Sequence, residues 1–263
     1  MTLDAVFTDL DGTLLEPDGA LRPEARRAVR DLAASGVAVF LVTSKTTAEI
    51  ELVLAAVGVA CHAGFENGAG IRHADGTVEL SPAALPVATL RAVCGDLRRR
   101  TGVSLRTLEE LDDAELARAT GLSGRALTAA RRRTATLPML VASGDDGALL
   151  AALPSDPRVR LLRGNRFLHL QGRHDKADVV PRLLALGGLD RSEAVACGDA
   201  PNDAGLLASV RTPVIVPGAD GPHPELVRLF PGAIVAPHPH GRGWAAALSA
   251  LVAPGRQGVG AHG

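Results

Sequence analysis

Uninterrupted apolar runs mark the first third of the chain. Val6-Phe7 leads into Thr8-Asp9, and Val37-Ala38-Val39-Phe40-Leu41-Val42 leads into Thr43-Ser44-Lys45. Such runs suit strands buried on both faces, as in a parallel sheet, better than the in/out alternation of a half-exposed strand. Between them, residues 22–34 carry Pro23 in a first turn and stop at Ser35-Gly36, which predicts a helix. A second helix is predicted over 46–57, completing a βαβ pattern. Ala74-Asp75-Gly76-Thr77 reads as a hairpin turn. The alternation resumes late in the chain. There, a helix over 176–186 tolerates Pro181 in its first turns, and Ala194-Val195-Ala196-Cys197 and Pro213-Val214-Ile215-Val216-Pro217 are strands. A last helix is predicted from Trp244, read as a packing anchor, to Val252. The glycine-rich tail from Pro254 is expected to be disordered.

The texture changes between residues 81 and 172. Pro82 and Pro86 mark a boundary, and helices are predicted over 87–100, 108–120 and 123–133, with Gly121 splitting the last two. Pro138-Met139-Leu140-Val141-Ala142 and Arg166-Phe167-Leu168-His169-Leu170 are the strands expected here. The expected fold class is therefore α/β: a Rossmann-like, doubly wound parallel sheet core from residues 1–80 and 173–263, with an inserted α/β domain over 81–172.

Composition narrows the function. The 263 residues are 46% hydrophobic, ample for a core, and the net charge of -1 offers no footprint for nucleic acid or a membrane surface. No apolar run approaches the roughly 18–20 residues of a membrane span. Cys61, Cys94 and Cys197 are widely spaced and form no CxxC pair, so they read as buried thiols of a reducing compartment. The cytoplasm is the expected location. Of 28 basic residues only Lys45 and Lys176 are lysines, which marks two places where a compact ammonium is needed rather than a planar fork.

Candidate chemistry gathers at the ends of the predicted strands. Asp9 and Asp11 flank Leu10 before Gly12-Thr13, and in an extended strand both carboxylates lean off the carboxyl end, where ligands bind in open α/β sheets. A calcium loop is excluded, because its fifth, sixth and twelfth positions are here Thr13, Leu14 and Ala20. Thr43-Ser44-Lys45, Lys176 and Gly198-Asp199-Ala200-Pro201-Asn202-Asp203 supply a hydroxyl, ammonium groups and further acids. Carboxylates from two strands with a hydroxyl and an ammonium match magnesium and a phosphoryl group in transfer.

Those four clusters, in this order, resemble the motifs of the haloacid dehalogenase superfamily of phosphatases. The insert resembles the α/β cap of its sugar-phosphatase branch. TSK, ENGAGI, RFLHLQG and HPHGRGW are similar to the mannosyl-3-phosphoglycerate phosphatases. The resemblance implies Asp9 as nucleophile through an aspartyl-phosphate and Asp11 as acid and then base. It implies Thr43 (or Ser44) as a hydrogen-bond donor to the phosphate and Lys176 as the group that neutralises charge. Magnesium would be held by Asp9, the backbone carbonyl of Asp11 and Asp199, with Asn202 and Asp203 orienting them. The implied substrate is a phosphorylated sugar or glycosyl-phosphoglycerate, met by Ser44, Lys45, Glu66, Asn67, Arg166 and His169. Glu66 and Asn67 are expected on sugar hydroxyls, and Lys45 and Arg166 on a glycerate carboxylate. His169 is open to cleft or solvent. Arg98 to Arg100 and Arg131 to Arg133 are expected as solvated helix ends, with Arg133 standing where the family has a cap arginine. The family's tyrosine and glutamate after it are replaced by Ala135 and Leu137, and the glycine after the third-motif lysine is Ala177. His238 and His240 flank Pro239 with no third metal ligand apparent, and are expected in a loop near the site mouth. A phosphomannomutase-like transferase is the alternative enzyme, although those carry an arginine where this chain has Glu66. A phospho-accepting signalling receiver domain is the remote alternative, against which stand the length, the insert and the second acid.

Overall fold

A computed structural model describes residues 3–141, 146–153, 157–164, 166–190 and 193–252. The glycine-rich tail from Pro254 lies outside the described residues, as do Ala142 and Asn165. The main sheet has eight strands. In chain order they are β1 (Ala5–Thr8), β2 (Ala38–Val42), β3 (Ala63–Phe65), β4 (Gly70–Arg72), β5 (Val78–Leu80), β10 (Ala194–Gly198), β11 (Thr212–Ile215) and β12 (Ile234–Val235). Their spatial order is β12-β11-β10-β1-β2-β3-β4-β5. All neighbours are parallel from β12 to β3, and β3, β4 and β5 form antiparallel pairs, the first joined by residues 66–69 and the second by the Asp75-Gly76 turn. The central strands are continuous apolar runs because both faces are covered. Val6, Val39 and Leu41 pack on one side with α1 (Pro23–Ala34), α2 (Thr47–Val57) and α10 (His240–Val252). Phe7, Phe40 and Val42 pack on the other with α7 (Val180–Gly187) and α8 (Ala204–Ala208). Trp244 is fully buried in the first of these layers, as its reading as an anchor requires.

The second sheet is antiparallel, in the order β6-β7-β9-β8, from β6 (Leu105–Thr107), β7 (Thr136–Val141), β8 (Val159–Arg163) and β9 (Leu168–Gly172). The helices α3 (Val87–Thr101) and α6 (Asp146–Ala152) cover one face. Side-chain alternation sends Leu137, Met139, Leu168 and Leu170 into that core, and their neighbours Pro138 and His169, paired across the strands, to the opposite face. Chain crosses between the sheets only twice among the described residues, at 81–86 and 173–175.

Several elements differ from the sequence reading. The helix expected over 108–120 is a 3₁₀ turn at Leu108–Glu110 followed by α4 (Asp113–Thr120). The break falls where Leu111 is extended and the Asp112 carboxylate accepts from the Glu115 amide at 2.7 Å, capping a new start. The one expected over 123–133 is only α5 (Arg125–Ala130). In the second sheet two strands went unanticipated: β6 is three residues long, and β8 interleaves Arg160 and Arg163 with its apolar positions. In the main sheet the short β3 and β12 were not anticipated either. The helix at 176 begins as a 3₁₀ turn over Lys176–Val179. Helix α10 begins at His240, four residues earlier than expected, and α9 (Pro224–Leu229) precedes it. No helix among the described residues is long and apolar enough to cross a membrane.

Candidate active site

The carboxyl ends of β1, β2 and β10 open into a cavity of about 610 Å³ between the two sheets. Strand β1 ends at Thr8, so Asp9 and Asp11 are not adjacent positions of one strand, as the spacing suggested. Asp9 leaves the strand with its amide bonded to the Cys197 carbonyl at 3.0 Å, and Asp11 sits in a tight turn bridged to Leu15. Both still line the cavity. Gly12 makes this turn possible. Its φ is +82°, and a Cβ there would meet Asp199 Oδ2 at 2.4 Å. Gly12→Ala is therefore expected to displace Asp199 and to lower metal affinity by about 10–100-fold, read as the magnesium concentration for half-maximal activity. An unchanged magnesium dependence would contradict the crowding.

At the cavity floor Lys176 Nζ lies 2.6 Å from Asp9 Oδ1 and 2.6 Å from Asp203 Oδ1, its side chain wholly buried. Asp175 fixes the start of this turn by accepting from the Ala177 amide at 3.0 Å. Asp203 Oδ2 accepts from the Asp199 and Ala200 amides, both at 3.0 Å, and Thr13 donates to Asp199 Oδ1 at 2.8 Å. Carboxylate oxygens of Asp9, Asp199 and Asp203 all lie within 4.8 Å of one another. Burial, with Asp203 and Asp199 nearby, raises the Asp9 pKa well above the usual carboxylate range despite the Lys176 ammonium. Burial opposes the Lys176 charge as well, but Asp203 and Asp9 outweigh it and its pKa is raised. Three acids sharing one ammonium leave negative charge over, and an all-oxygen donor set of this kind fits magnesium. Both oxygens of Asp203 are already engaged, so Asp9 and Asp199 are the carboxylates that face such an ion.

A second group of charges sits beside the first. Lys45 Nζ lies 2.8 Å from Asp11 Oδ1 and 3.4 Å from Glu49 Oε1. Burial disfavours its charge, but Asp11 and Glu49 outweigh that and raise its pKa. Glu49 also closes the capping box of α2 with Thr46 and lies 3.5 Å from Arg133. Arg133 donates to the Ser44 carbonyl at 2.6 Å, its side chain almost fully buried. It is thus a cavity residue and not a solvated helix end. Its place beside Thr134-Ala135-Thr136, at the entry to a strand, was the signal that sequence reasoning underused. Thr43 is fully buried and its hydroxyl accepts from the Lys45 amide at 3.2 Å, which leaves the hydroxyl proton free to donate. Ser44 and Asn202 line the cavity.

Three expected substrate contacts need correction. Glu66 is 0% exposed and does not line the cavity; its two oxygens accept four hydrogen bonds from Thr134, Ala135 and Thr136. Asn67 is likewise sealed, donating to Gln171 Oε1 at 3.0 Å. Arg166 does line the cavity, but its guanidinium is spent on main-chain carbonyls of Thr120 and Pro17, the latter at 2.7 Å. His169 faces the cavity with its Nδ1 unpartnered among the described residues. Burial, then Arg133, Lys176 and Arg163, push its pKa down to about 3. The native state holds fewer protons there than the unfolded chain, so this histidine costs stability as pH falls from about 6.5 towards 3, by at most about 5 kcal/mol. His169→Gln is expected to flatten that part of the stability–pH curve; an unaltered curve would contradict the burial. His238 and His240 do not pair: His238 lies in a groove between α1 and α10, whereas His240 Nδ1 donates to the Gly12 carbonyl at 3.0 Å. The loop 218–224, with Asp220 and His223, forms a wall that sequence reasoning missed, because its Gly-Pro composition marks only a turn.

Residues 6–97 match the haloacid dehalogenase-like hydrolase family. Over that segment the chain is similar to the haloacid dehalogenase-like hydrolases. The chain is 28% identical over 242 residues to a glucosyl-3-phosphoglycerate/mannosyl-3-phosphoglycerate phosphatase of Methanococcoides burtonii, covering 85% of this chain and 88% of that one. A protein of the same name from Persephonella marina is 27% identical over 258 residues, covering 91% and 93%. Among solved structures, a subclass IIB sugar phosphatase of the superfamily superposes with a TM-score of 0.70 at 16% identity, covering 94% of this chain and 98% of that one. A haloacid dehalogenase-like hydrolase from B. subtilis gives 0.70 at 17%, covering 95% and 100%. These structural likenesses carry the fold, and both sequence relatives bear the name of a phosphatase.

Proposed function

We propose that this protein is a phosphatase that cleaves the phosphate ester of a glycosyl-3-phosphoglycerate, glucosyl or mannosyl, through a phosphoryl group carried on Asp9. The observation that carries the chemistry is the buried Lys176 ammonium bridging Asp9 and Asp203 beside Asp199. Asp9 Oδ forms a bond to phosphorus as the bond from phosphorus to the sugar-acid oxygen breaks. Asp11, whose side chain is half exposed to the cavity, gives its proton to that leaving oxygen. It then takes a proton from the water that attacks phosphorus, and the acyl-phosphate bond breaks to restore Asp9. Thr43 donates to a phosphate oxygen and Lys176 balances its charge. Asp9, Asp199 and the Asp11 main-chain oxygen would hold magnesium, which would supply positive charge to the phosphoryl oxygens. Asn202 and Asp203 keep its ligands oriented.

Residues 81–172 act in this reading as the cap that selects substrate. Two cations of the cavity, Lys45 beside the acid/base Asp11 and Arg133 beside Ser44, share Glu49 and suit the second anion of the substrate, the glycerate carboxylate. Arg133 thereby takes the role that the sequence gave to Arg166. His169, neutral, offers hydrogen bonding to a sugar hydroxyl. Lys45→Met and Arg133→Met are each expected to raise KM for a glycosyl-phosphoglycerate by about 30-fold or more while shifting values for plain hexose phosphates by only a few fold. Equal effects on both would remove the carboxylate from the account. The reading as a whole is tested by phosphate release over a panel of phosphorylated sugars and sugar acids, with and without magnesium. Magnesium-dependent release favouring the phosphoglycerates supports it; a preference for plain hexose phosphates contradicts it.

A further inference from the structure

Glu66 carries an unusual burden for a residue outside the cavity. Oε1 accepts from the Thr134 amide at 2.8 Å and the Thr134 hydroxyl at 2.7 Å; Oε2 accepts from the Ala135 amide at 3.0 Å and the Thr136 hydroxyl at 2.7 Å. Four donors fill the acceptor sites of one carboxylate. No ion pair to Glu66 occurs among the described residues that could explain its burial. The backbone is strained to place it, with φ of +46° at Glu66 and +61° at Asn67, in the left-handed region. The same turn holds the chain's return from the second sheet. Asn67 donates to Gln171, Gln171 donates to the His174 carbonyl at 2.9 Å, and the His174 ring lies 3.2 Å from the Glu66 carbonyl. The carbonyl can only accept, so His174 Nε2 carries the proton. Gly68 packs so closely on Asp175, the residue before Lys176, that a Cβ would meet its carbonyl oxygen at 2.0 Å.

We propose that Glu66 is a positioning residue that pins the start of β7 to the core and so aims the neighbouring Arg133 at the Ser44 carbonyl and the cavity. The clamp and the guanidinium are consecutive in sequence. Residues 134–136 are held by Glu66, and Arg133 joins that clamp by donating at 3.3 Å to the Thr136 hydroxyl while it reaches on to Ser44 and Glu49. Thr46 adds a nearby tie, donating to the Ala129 carbonyl at 3.0 Å. A purely structural clamp would support every substrate alike. A clamp that aims Arg133 supports only esters that reach Arg133. The part played by Arg133 rests on the substrate reading above, whereas the pinning of 134–136 does not.

The test uses Glu66→Gln in the full-length protein, which keeps the shape but turns one acceptor into a donor facing donors. Two measurements are made. Amide hydrogen exchange at Thr134 and Ala135 is expected to speed up by about 10-fold or more, because the pin is lost. For the best ester of the phosphate-release panel, KM is expected to rise by about 30-fold with kcat little changed, while kcat/KM for p-nitrophenyl phosphate stays within about 3-fold. In an Arg133→Met background the further KM cost is expected to vanish, since the two residues act in series. Should Glu66→Gln not fold, Thr136→Val removes one hydroxyl from the same clamp and is expected to give a smaller change of the same pattern. Unchanged exchange, or an equal loss for both esters, overturns the proposal. Additive losses in the double variant also overturn it. If the panel shows no preference for phosphoglycerates, the substrate reading fails, and Glu66 is still judged by exchange and by the ratio between the best ester and p-nitrophenyl phosphate.

Discussion

Replacing Asp9 with asparagine is expected to abolish turnover and to stabilise the metal-free protein. The amide has no nucleophilic oxygen anion, and removing a nucleophile that works as part of a unit costs at least about 10⁴-fold in kcat. The effect on stability has the opposite sign. Asp9 is buried against Asp199 and Asp203 with one ammonium to offset three acids, which is why its pKa is raised. A raised carboxylate pKa means that the native state holds more protons than the unfolded chain. Stability without metal therefore falls as pH rises from about 4 through the native pKa, and the penalty is full above it. Asparagine removes the penalty, and Lys176 keeps Asp203 at 2.6 Å. Calorimetry in EDTA at about pH 8 should show Tm raised by about 2–4 °C, while phosphate release disappears. A lowered Tm would contradict the crowding, and near-normal release would exclude Asp9 as the nucleophile.

Lys176→Met is expected to do the reverse to stability while also removing activity. The ammonium is the one cation within hydrogen-bonding distance of Asp9 and Asp203 among the described residues. Its loss leaves buried acids unbalanced, a cost of about 3–5 kcal/mol. That is a large share of the stability of a typical domain. Magnesium bound between Asp9 and Asp199 would offset part of this charge, so the variant should gain more in Tm from magnesium than the wild type does. Paired melts in EDTA and in magnesium measure this. A variant as stable as wild type in EDTA would show that the ammonium does not hold the site together.

Much of the main sheet was legible because its strands are buried on both faces and its turns are punctuated by glycine and proline. Val37 to Val42 could hardly be anything but an interior strand. The polar clusters were legible for a related reason: hydroxyls and acids directly after an apolar run have to sit at a sheet edge. The inserted unit was harder. Its strand β8 interrupts its apolar residues with two arginines, and its helices are cut short by local caps such as Asp112. The errors at the site came from tertiary geometry. A glutamate beside an asparagine looks like a sugar ligand in one dimension, but Glu66 is turned away into the clamp on 134–136. Arg133 and Arg166 are both arginines near the insert's strands. Only the packing shows that Arg133 lies against Ser44 while Arg166 caps two carbonyls. His169 was undecided until the pairing of β7 with β9 fixed its face.

The central claim is that distant segments meet around one phosphoryl group and that Asp9 carries it. Rapid acid quench during turnover of the best substrate, followed by peptide mass spectrometry, tests this most directly. The account predicts that the peptide containing Asp9 gains the mass of one phosphoryl group, that Asp11→Asn prolongs this species, and that Asp9→Asn never forms it. A phosphoryl group found on another residue, or steady turnover with none on the Asp9 peptide in both wild type and Asp11→Asn, would contradict it.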